Sequence, residues 1–356
     1  MLTAGLLTAS ALIATVLLTG AFRRYARSRR LIDIPNARSS HQIPTPRGGG
    51  LALVIVVLSV LGVMVWQGSL RPGVGLALGG AGLIVAIVGF LDDHAHVAAR
   101  WRLLGHFLAA GWGLYWLGGL PPFVLWQTPM DLGLAGHLLA AVFLVWLLNL
   151  YNFMDGINGI AGIELVTVSL GGIIVGAVAG VQHAYLLLAV LIASGLGFLM
   201  WNFPQARIFM GDACSGFLGL ILGLVAVWQG LLQPELFIAW VILLGAFLMD
   251  ATLTLLRRIL RGAPFYEAHR SHAYQFASRH YGSHTLVSLA IGVINLIWLT
   301  PVAALTAASA LPALAALAIA WAPLVLLALH FNAGEPESAT SPIQRRREPC
   351  SRLDRR

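Results

Sequence analysis

Eleven long apolar stretches constrain the fold of this chain more than any other feature of its sequence. A helix that crosses a bilayer needs about 20 predominantly apolar residues. The 356-residue chain has eleven stretches of this kind, near 2–22, 49–67, 73–91, 102–119, 134–151, 157–180, 183–201, 213–231, 235–256, 284–304 and 308–330. The sequence therefore predicts an all-α, polytopic membrane protein with about 11 transmembrane helices.

The composition excludes a soluble protein of ordinary type. Hydrophobic residues make up 58% of the chain and charged residues only 10%, whereas soluble domains carry about 25% charged residues. The pI of about 10.3 raises the question of nucleic-acid binding, but the positions of the arginines favour membrane topology over that partner. The two cysteines are far apart in the chain and imply no disulfide framework.

The distribution of arginine predicts the orientation in the membrane. All 22 basic residues are arginine, and 21 of them lie in or beside the segments that alternate on one side of the predicted spans; Arg71 lies on the other side. Positive charge marks the cytoplasmic side. The N-terminus is thus predicted outside and the C-terminus inside. Residues 1–330 are interpreted as one integral-membrane domain and 331–356 as a disordered, Arg-rich cytoplasmic tail.

An aspartate pair ends the third apolar stretch. Asp92 and Asp93 are predicted at the C-terminal end of that helix, where carboxylates oppose the helix dipole and repel each other. A cation should compensate them, either the nearby Arg100 and Arg102 or a metal ion. An interfacial acidic pair neutralised by these arginines is the alternative interpretation.

Two further polar clusters lie between apolar stretches. The first contains Asn149, Asn152, Asp155 and Asn158 among glycines. Asp155 could simply cap the next helix, but a cap needs one polar residue rather than four. Glycines allow close approach to a ligand, and helix N-termini favour phosphate.

The second of these clusters contains Asn202, Arg207 and Asp212. Capping is again the alternative for Asp212. The planar fork of Arg207 suits phosphate or carboxylate, and the hard oxygen ligands of Asp212 suit Mg²⁺.

The remaining clusters are histidine- and arginine-rich. His269, Arg270 and His272 lack further ligands for zinc, so anion recognition fits them better. Arg47 and His41 lie in a loop whose prolines and glycines predict ordered turns. Any one cluster is weak evidence, but five on one face of an apolar protein predict a site at the inner membrane interface.

Two other classes of function remain open from the residues alone. A secondary transporter of an anionic substrate would place ionisable groups near the membrane midplane, and Glu164 is the main candidate for such a group. A catalytically silent membrane scaffold or regulator is the other alternative.

These motifs together resemble those of the polyprenyl-phosphate N-acetylhexosamine-1-phosphate transferases, which form glycosyltransferase family 4. The matching segments are Gly89 to Asp93, Asn152 to Gly159, Ala206 to Gly219, His269 to His272 and Pro44 to Gly50. The resemblance implies transfer of a HexNAc-1-phosphate from a UDP-N-acetylhexosamine to undecaprenyl phosphate. UMP would be released at the cytoplasmic face of the bacterial inner membrane, and a homodimer is possible.

The resemblance also implies roles for individual residues. Asp212 would be a principal ligand of Mg²⁺ or Mn²⁺, with Asn152, and Asp155 would lie nearby in the catalytic centre. Asp92 or Asp93 is the base that has been proposed for the family, although the phosphate acceptor does not need a strong base. Substrate binding is expected from Arg47, Arg102, Asn149, Asn152, Asn158, Asn202, Arg207, His269, Arg270 and His272.

Departures from the motifs suggest a branch of the family. Asn158 stands where many members have Asp, and Cys214 where Gly is frequent. After His272 the chain reads Ala273, Tyr274, Gln275, where the GlcNAc and MurNAc branches carry more histidines. This chain looks more like the branch that acts on 6-deoxy-N-acetylhexosamines, in the synthesis of O-antigen or capsule.

Overall fold

Helices make up most of the computed structural model, which describes residues 2–35, 40–41, 43–95, 97–125, 128–130, 132–263 and 269–336. In chain order they are α1 (Leu2–Ser28), α2 (Leu51–Trp66), α3 (Pro72–Ala95), α4 (Ala99–Leu117), α5 (Gly133–Met154), α6 (Ile160–Val178), α7 (Tyr185–Asn202), α8 (Asp212–Leu232), α9 (Pro234–Leu243), α10 (Gly245–Leu260), α11 (Ala273–Tyr281), α12 (His284–Val293), α13 (Thr300–Ala307) and α14 (Ala313–His330). A π-helical segment (Ile294–Leu299) joins α12 to α13. Most of the predicted tail, residues 337–356, lies outside the described residues.

The prediction of a helical, multi-pass membrane protein is confirmed. Within the described residues, eight helices are long and apolar enough to cross a membrane: α1, α3, α5, α6, α7, α8, α14 and the continuous helix His284–Ala307. The bent pair of α9 and α10 would add a ninth, and α2 is a shorter apolar helix of 16 residues. The count of about 11 spans and the orientation remain predictions.

One predicted span is broken in the structure. The apolar stretch 235–256 forms α9 and α10, whose axes differ by 68°. α10 starts at Gly245, where an added Cβ would lie 3.1 Å from Nε1 of Trp321 in α14. The start of α10 therefore packs closely against α14.

The structure contains two short β-hairpins that the all-α prediction did not include. Strand β1 (Ile32–Asp33) pairs antiparallel with β2 (Thr45–Pro46), and β3 (Phe123–Leu125) pairs with β4 (Thr128–Met130). The first hairpin returns the Pro- and Gly-rich loop to the end of α1, where the backbone N–H of Arg47 donates to the carbonyl of Leu31 at 3.1 Å.

The core is built around α8. Its residues from Ala213 to Gly230 are all buried, and it packs against α3, α5 and α9. Small residues permit this close packing, since a Cβ on Gly219 would lie 2.6 Å from the carbonyl oxygen of Leu147 in α5. The N-terminus of α8 therefore lies between the ends of α3 and α5.

A matched pair of glycines in α3 tests this packing. A Cβ on Gly89 would lie 2.6 Å from Cα of Ala213, whereas a Cβ on Gly79 would meet nothing within 4 Å. We expect Gly89→Ala to destabilise the protein by about 1–3 kcal/mol through overpacking. Gly79→Ala should be neutral or stabilising, since Ala favours a helix by up to about 1 kcal/mol. Melting temperatures in detergent compare the two, and equal values would contradict the packing.

Candidate active site

A backbone pairing fixes the first loop against the segment that precedes α8. The N–H of Phe209 donates to the carbonyl of Pro46 at 2.8 Å, and the N–H groups of Gly49 and Gly50 donate to the carbonyls of Phe209 and Met210, both at 2.9 Å. Gly50 is required here, because a Cβ at this position would lie 2.3 Å from Cβ of Cys214. The pairing brings two segments about 160 residues apart in sequence into register.

Arg47 bridges two carboxylates at the centre of this arrangement. Its Nη2 lies 2.8 Å from Oδ1 of Asp93 and 2.7 Å from Oδ1 of Asp212. The Asp93 side chain is largely buried, while that of Arg47 is 37% exposed. The guanidinium therefore joins the loop to the end of α3 and the start of α8.

Asp93 also closes the N-terminus of α8. Its carboxylate accepts hydrogen bonds from the backbone N–H of Asp212 at 3.2 Å and of Ala213 at 3.3 Å. A carboxylate is favourable beside unsatisfied N–H groups at a helix N-terminus. Asp212 is itself the first residue of α8. The alternative that Asp212 serves as the cap is therefore wrong, because Asp93 supplies that interaction.

Asn152 in the last turn of α5 contacts the same carboxylate. Its Nδ2 donates to Oδ1 of Asp212 at 3.0 Å and to Oγ of Ser215 at 2.9 Å. Oδ1 of Asp212 thus pairs with the guanidinium of Arg47 and accepts a hydrogen bond from Asn152. Ser215 lies three residues after Asp212 and shares its face of α8, which is the sequence signal that could have identified it.

These side chains open on a polar cavity of about 260 Å³. It is lined by residues that the sequence predicts for the site, namely Arg47, Asn152, Asp155, Asn158, Asn202 and Asp212. The remaining lining residues are Asp33, Ser40, His41, Gly156, Ile157, Phe209, Gly211, Ser215, Gln275 and His284. Gln275 belongs to the segment after His272 that the sequence links to the choice of sugar, whereas His284 was not expected here, because only the tertiary fold brings α12 to the cavity.

Asp155 follows α5 directly and is the second predicted carboxylate of the cavity. Burial, together with the charges of Asp212 and Asp93, raises its pKa to about 8, although Arg47 opposes the shift. Asp155 does not cap α6, whose first turn follows Gly159 without a side-chain cap. The carboxylates of Asp93, Asp155 and Asp212 therefore lie near a single guanidinium, that of Arg47. Because three negative charges exceed one positive charge, this arrangement favours a bound cation.

Two asparagines hold the loops around the cavity together. Nδ2 of Asn158 donates to the carbonyl of Pro204 at 3.1 Å. Oδ1 of Asn202 accepts the N–H of Gly159 at 2.7 Å, and its Nδ2 donates to the carbonyl of Ile208 at 2.9 Å. Both side chains thus support the cavity wall.

Other predicted residues lie away from this cavity. Asp92 forms an ion pair with Arg102, and its Oδ1 accepts the N–H of Val97 at 2.8 Å. Nδ2 of Asn149 donates to the carbonyl of Val145 in its own helix at 2.7 Å. Arg207 is exposed, and its backbone carbonyl accepts a hydrogen bond from Nε of Arg23 at 3.2 Å.

The histidine loop approaches the cavity through α11. Asp250 accepts the N–H groups of Ala273 and Tyr274, both at 2.9 Å, and Nδ1 of His272 lies 3.4 Å from its Oδ1. The hydroxyl of Tyr274 donates to the carbonyl of Phe153 at 3.0 Å. α11 is thereby held beside the end of α5.

His269, Arg270 and His272 do not belong to the described lining of the cavity. Burial, together with the neighbouring His272 and Arg258, lowers the pKa of His269 to about 3. At neutral pH His269 is therefore uncharged, so it offers hydrogen bonds rather than positive charge. Anion binding by this loop remains a prediction.

Substitution of the two adjacent aspartates, Asp92 and Asp93, should affect the reaction rate to different extents. We expect Asp93→Asn to lower the rate of the reaction about 10-fold or more, because a neutral amide gives up the ion pair that positions Arg47. Asp92→Asn should stay within about 3-fold, since its contacts lie outside the cavity. Turnover of both variants across pH is the measurement, and equal losses would contradict the distinct positions of the two side chains.

Comparison with known proteins agrees with the motifs. Residues 76–230 match the family model "Glycosyl transferase family 4". A probable undecaprenyl-phosphate N-acetylglucosaminyl 1-phosphate transferase of Bacillus subtilis is 30% identical over 81% of this chain and 80% of its own length. A decaprenyl-phosphate N-acetylglucosaminephosphotransferase of Mycobacterium leprae is 29% identical over 80% of both chains.

Another relative matches over a shorter range. A phospho-N-acetylmuramoyl-pentapeptide-transferase of Gluconacetobacter diazotrophicus is 32% identical over 51% of this chain and 58% of its own. The family match runs from α3 to α8 and includes the ends of both helices that meet at Asp93 and Asp212. Taken with the coverage of the Bacillus subtilis relative, these matches show that the chain belongs to glycosyl transferase family 4.

Proposed function

We propose that this chain transfers a HexNAc-1-phosphate from a UDP-sugar to undecaprenyl phosphate and releases UMP at the cytoplasmic membrane face. The observation that carries the proposal is the junction of Arg47, Asp93, Asn152 and Asp212, which come from four separate segments. Arg47, Asn152 and Asp212 line a polar cavity, and Asp93 holds Arg47 in place. The names of the relatives in Bacillus subtilis and Mycobacterium leprae describe the same class of reaction.

The donor atoms at this junction fit Mg²⁺ or Mn²⁺. Asp212 and Asp155 offer carboxylate oxygens, and Mg²⁺ typically takes one or two protein carboxylates together with substrate phosphates and water. Asn152 directs Nδ2 rather than its amide oxygen toward Asp212 in this structure. Among the described residues no group of three or more His, Cys, Asp or Glu side chains could hold a metal on its own. A bound ion would neutralise charge on the donor diphosphate.

The residues of the chain would then act mainly by position and charge. An oxygen of the lipid phosphate attacks the phosphorus next to the sugar, a new P–O bond forms, and the bond to the UMP oxygen breaks. Arg47 places a guanidinium beside Asp212, where it can contact the diphosphate. A phosphate monoester with a second pKa of about 6 is mostly dianionic at neutral pH, so a strong base is not required.

Asp93 acts in this scheme as a positioning residue. It holds Arg47 and the first N–H groups of α8 and does not belong to the described lining of the cavity. Asp155 lies in the cavity with a raised pKa, and a bound cation would return it to the charged form.

The sugar is proposed from the residues that follow His272. Gln275 lines the cavity, in the region where GlcNAc and MurNAc enzymes carry more histidines. A 6-deoxy-N-acetylhexosamine donor, used to start O-antigen or capsule synthesis, follows from that difference. The named relatives act on GlcNAc or MurNAc derivatives, so the donor panel below must contain both kinds of sugar.

One assay tests reaction and sugar together. Membranes that contain the chain are supplied with undecaprenyl phosphate and UDP-GlcNAc, UDP-N-acetylfucosamine or UDP-N-acetylquinovosamine, with Mg²⁺ or Mn²⁺, and UMP is measured. We expect UMP only when donor, lipid and divalent ion are all present, and most of it with a 6-deoxy sugar. Flux into proteoliposomes without UMP would instead support a transporter, and absence of both would support a scaffold.

A further inference from the structure

A carboxyl group lies buried in the apolar part of the protein, away from the cavity. Glu164 is in the second turn of α6 and has no exposed surface, and Asn295 of the π-helical segment is 1% exposed. Both residues belong to helices that are long and apolar enough to cross the membrane. Burial of an ionised carboxylate is very unfavourable unless a cation pairs with it. Within the described part of the chain, no Arg or His forms an ion pair with Glu164.

Hydrogen bonds fix the orientation of the Asn295 amide. Its Nδ2 donates to Oε2 of Glu164 at 2.7 Å and to Oγ1 of Thr167 at 2.9 Å. The Thr167 hydroxyl donates to the carbonyl of Ile163 at 2.8 Å, so its oxygen is the acceptor for the amide. The NH₂ group therefore faces Oε2 of Glu164 and Oγ1 of Thr167, and the remaining polar atom of the amide is the acceptor Oδ1.

Two buried oxygens remain without a partner in the described structure, namely Oε1 of Glu164 and Oδ1 of Asn295. Both are acceptors if the carboxyl is ionised, so neither can satisfy the other. A protonated carboxyl offers one O–H donor. A single proton on Oε1 would thus remove the buried charge and supply the donor that Oδ1 lacks.

We propose that Glu164 holds a proton at neutral pH and donates it from Oε1 to Oδ1 of Asn295. With the bond from Nδ2 to Oε2, this closes a cyclic acid–amide pair inside the membrane. The group is an intramembrane proton-binding site, distinct from the cavity around Asp212. Tyr151, the titratable side chain that interacts with Glu164 from α5, uses its hydroxyl to donate to the carbonyl of Ala161 at 2.7 Å.

The π-helical segment presents Asn295 to this site. The carbonyl of Asn295 accepts both the backbone N–H and, at 2.8 Å, the hydroxyl of Thr300, five residues later. π-helical turns are rare in proteins, and those that occur often lie at functional sites. The widened turn thus provides the backbone carbonyl of Asn295 with hydrogen-bond donors, while the side-chain amide of Asn295 contacts Glu164.

The acid–amide pair also holds the helix that supports the cavity wall. Between the pair and the cavity, α6 and α12 are in close contact, since a Cβ on Gly292 would lie 2.9 Å from Cγ2 of Ile163. One turn further, the hydroxyl of Ser288 donates to the carbonyl of Asn158 at 2.8 Å. Loss of the pair is therefore expected to loosen the contact between these two helices.

Infrared difference spectroscopy of the full-length protein in detergent at neutral pH tests the proton directly. The spectrum of the unchanged protein minus that of Glu164→Gln should contain the C=O band of a protonated carboxylic acid and lack carboxylate bands. Asn295→Leu should move the acid band, because it removes the acceptor. Glu335→Gln is the control: hydrogen bonds from Arg261 and Arg257 lower the pKa of Glu335, so its difference spectrum should contain carboxylate bands.

Carboxylate bands in the Glu164 difference spectrum would overturn the proposal, and their dependence on sodium would identify a bound cation instead. Thermal unfolding gives a second readout. Gln at position 164 can donate to Oδ1 and accept from Nδ2, so Glu164→Gln should keep the melting temperature, whereas Glu164→Leu should lower it. A lower melting temperature for both would contradict a neutral carboxyl. Neither measurement uses enzymatic activity, so the result is independent of the proposed reaction.

Discussion

Asp212→Asn should lower the rate of UMP release by about 10³-fold, because the substitution removes charge where the diphosphate and its cation are expected to bind. Asn keeps the shape of the side chain and can still contact Asn152 and Arg47 through its amide oxygen. The loss would therefore report on charge rather than on packing. Initial rates over a range of Mg²⁺ and Mn²⁺ concentrations are the measurement, with the panel donor that gives the highest rate.

The control for this variant is Asp92→Asn, which removes a carboxylate at the same membrane face but outside the cavity. Melting temperatures of both variants check that the fold is retained. If Asp212→Asn turned over at the unchanged rate with the same dependence on metal, Asp212 would be removed from the site. If both variants lost activity equally, a general effect of surface charge would explain the result.

The membrane fold could be predicted because its cause is local. A stretch of about 20 apolar residues is stable in lipid only as a helix that satisfies its own backbone, and each predicted stretch corresponds to a helix or a pair of helices in the structure. The break between α9 and α10 could not be predicted in this way. Residues 235–256 form one predominantly apolar stretch, with Glu235 and Asp250 as its charged residues. The bend lies where Gly245 packs closely against Trp321 in α14, a helix distant in sequence.

The candidate site was predictable in its residue types but not in their division of roles. Asp92 and Asp93 are adjacent, and consecutive side chains on a helix point about 100° apart. One therefore meets the N-terminus of α8 while the other meets Arg102. Which of the two does so depends on how α3 packs at Gly89. The contribution of Gln275 and His284 depends likewise on helices distant in sequence.

Arg47→Ala should lower the rate of UMP release by about 10²-fold or more, because it removes the guanidinium that joins two carboxylates at the cavity. Arg47→Lys should recover only part of the activity, since an ammonium group is a point charge without the planar fork of arginine. Arg102→Ala is the matched control: it breaks the ion pair with Asp92 outside the cavity and should stay within about 3-fold.

A double-mutant cycle with Asp93 separates positioning from direct action. If Asp93 acts through Arg47, the combined variant Arg47→Ala with Asp93→Asn should be no slower than Arg47→Ala alone, because the residue that Asp93 positions is already absent. Losses that multiply would instead assign Asp93 a role of its own, such as proton transfer or support of the α8 N-terminus. The cycle therefore decides whether Asp93 has a role of its own in the reaction or acts by holding Arg47 in place.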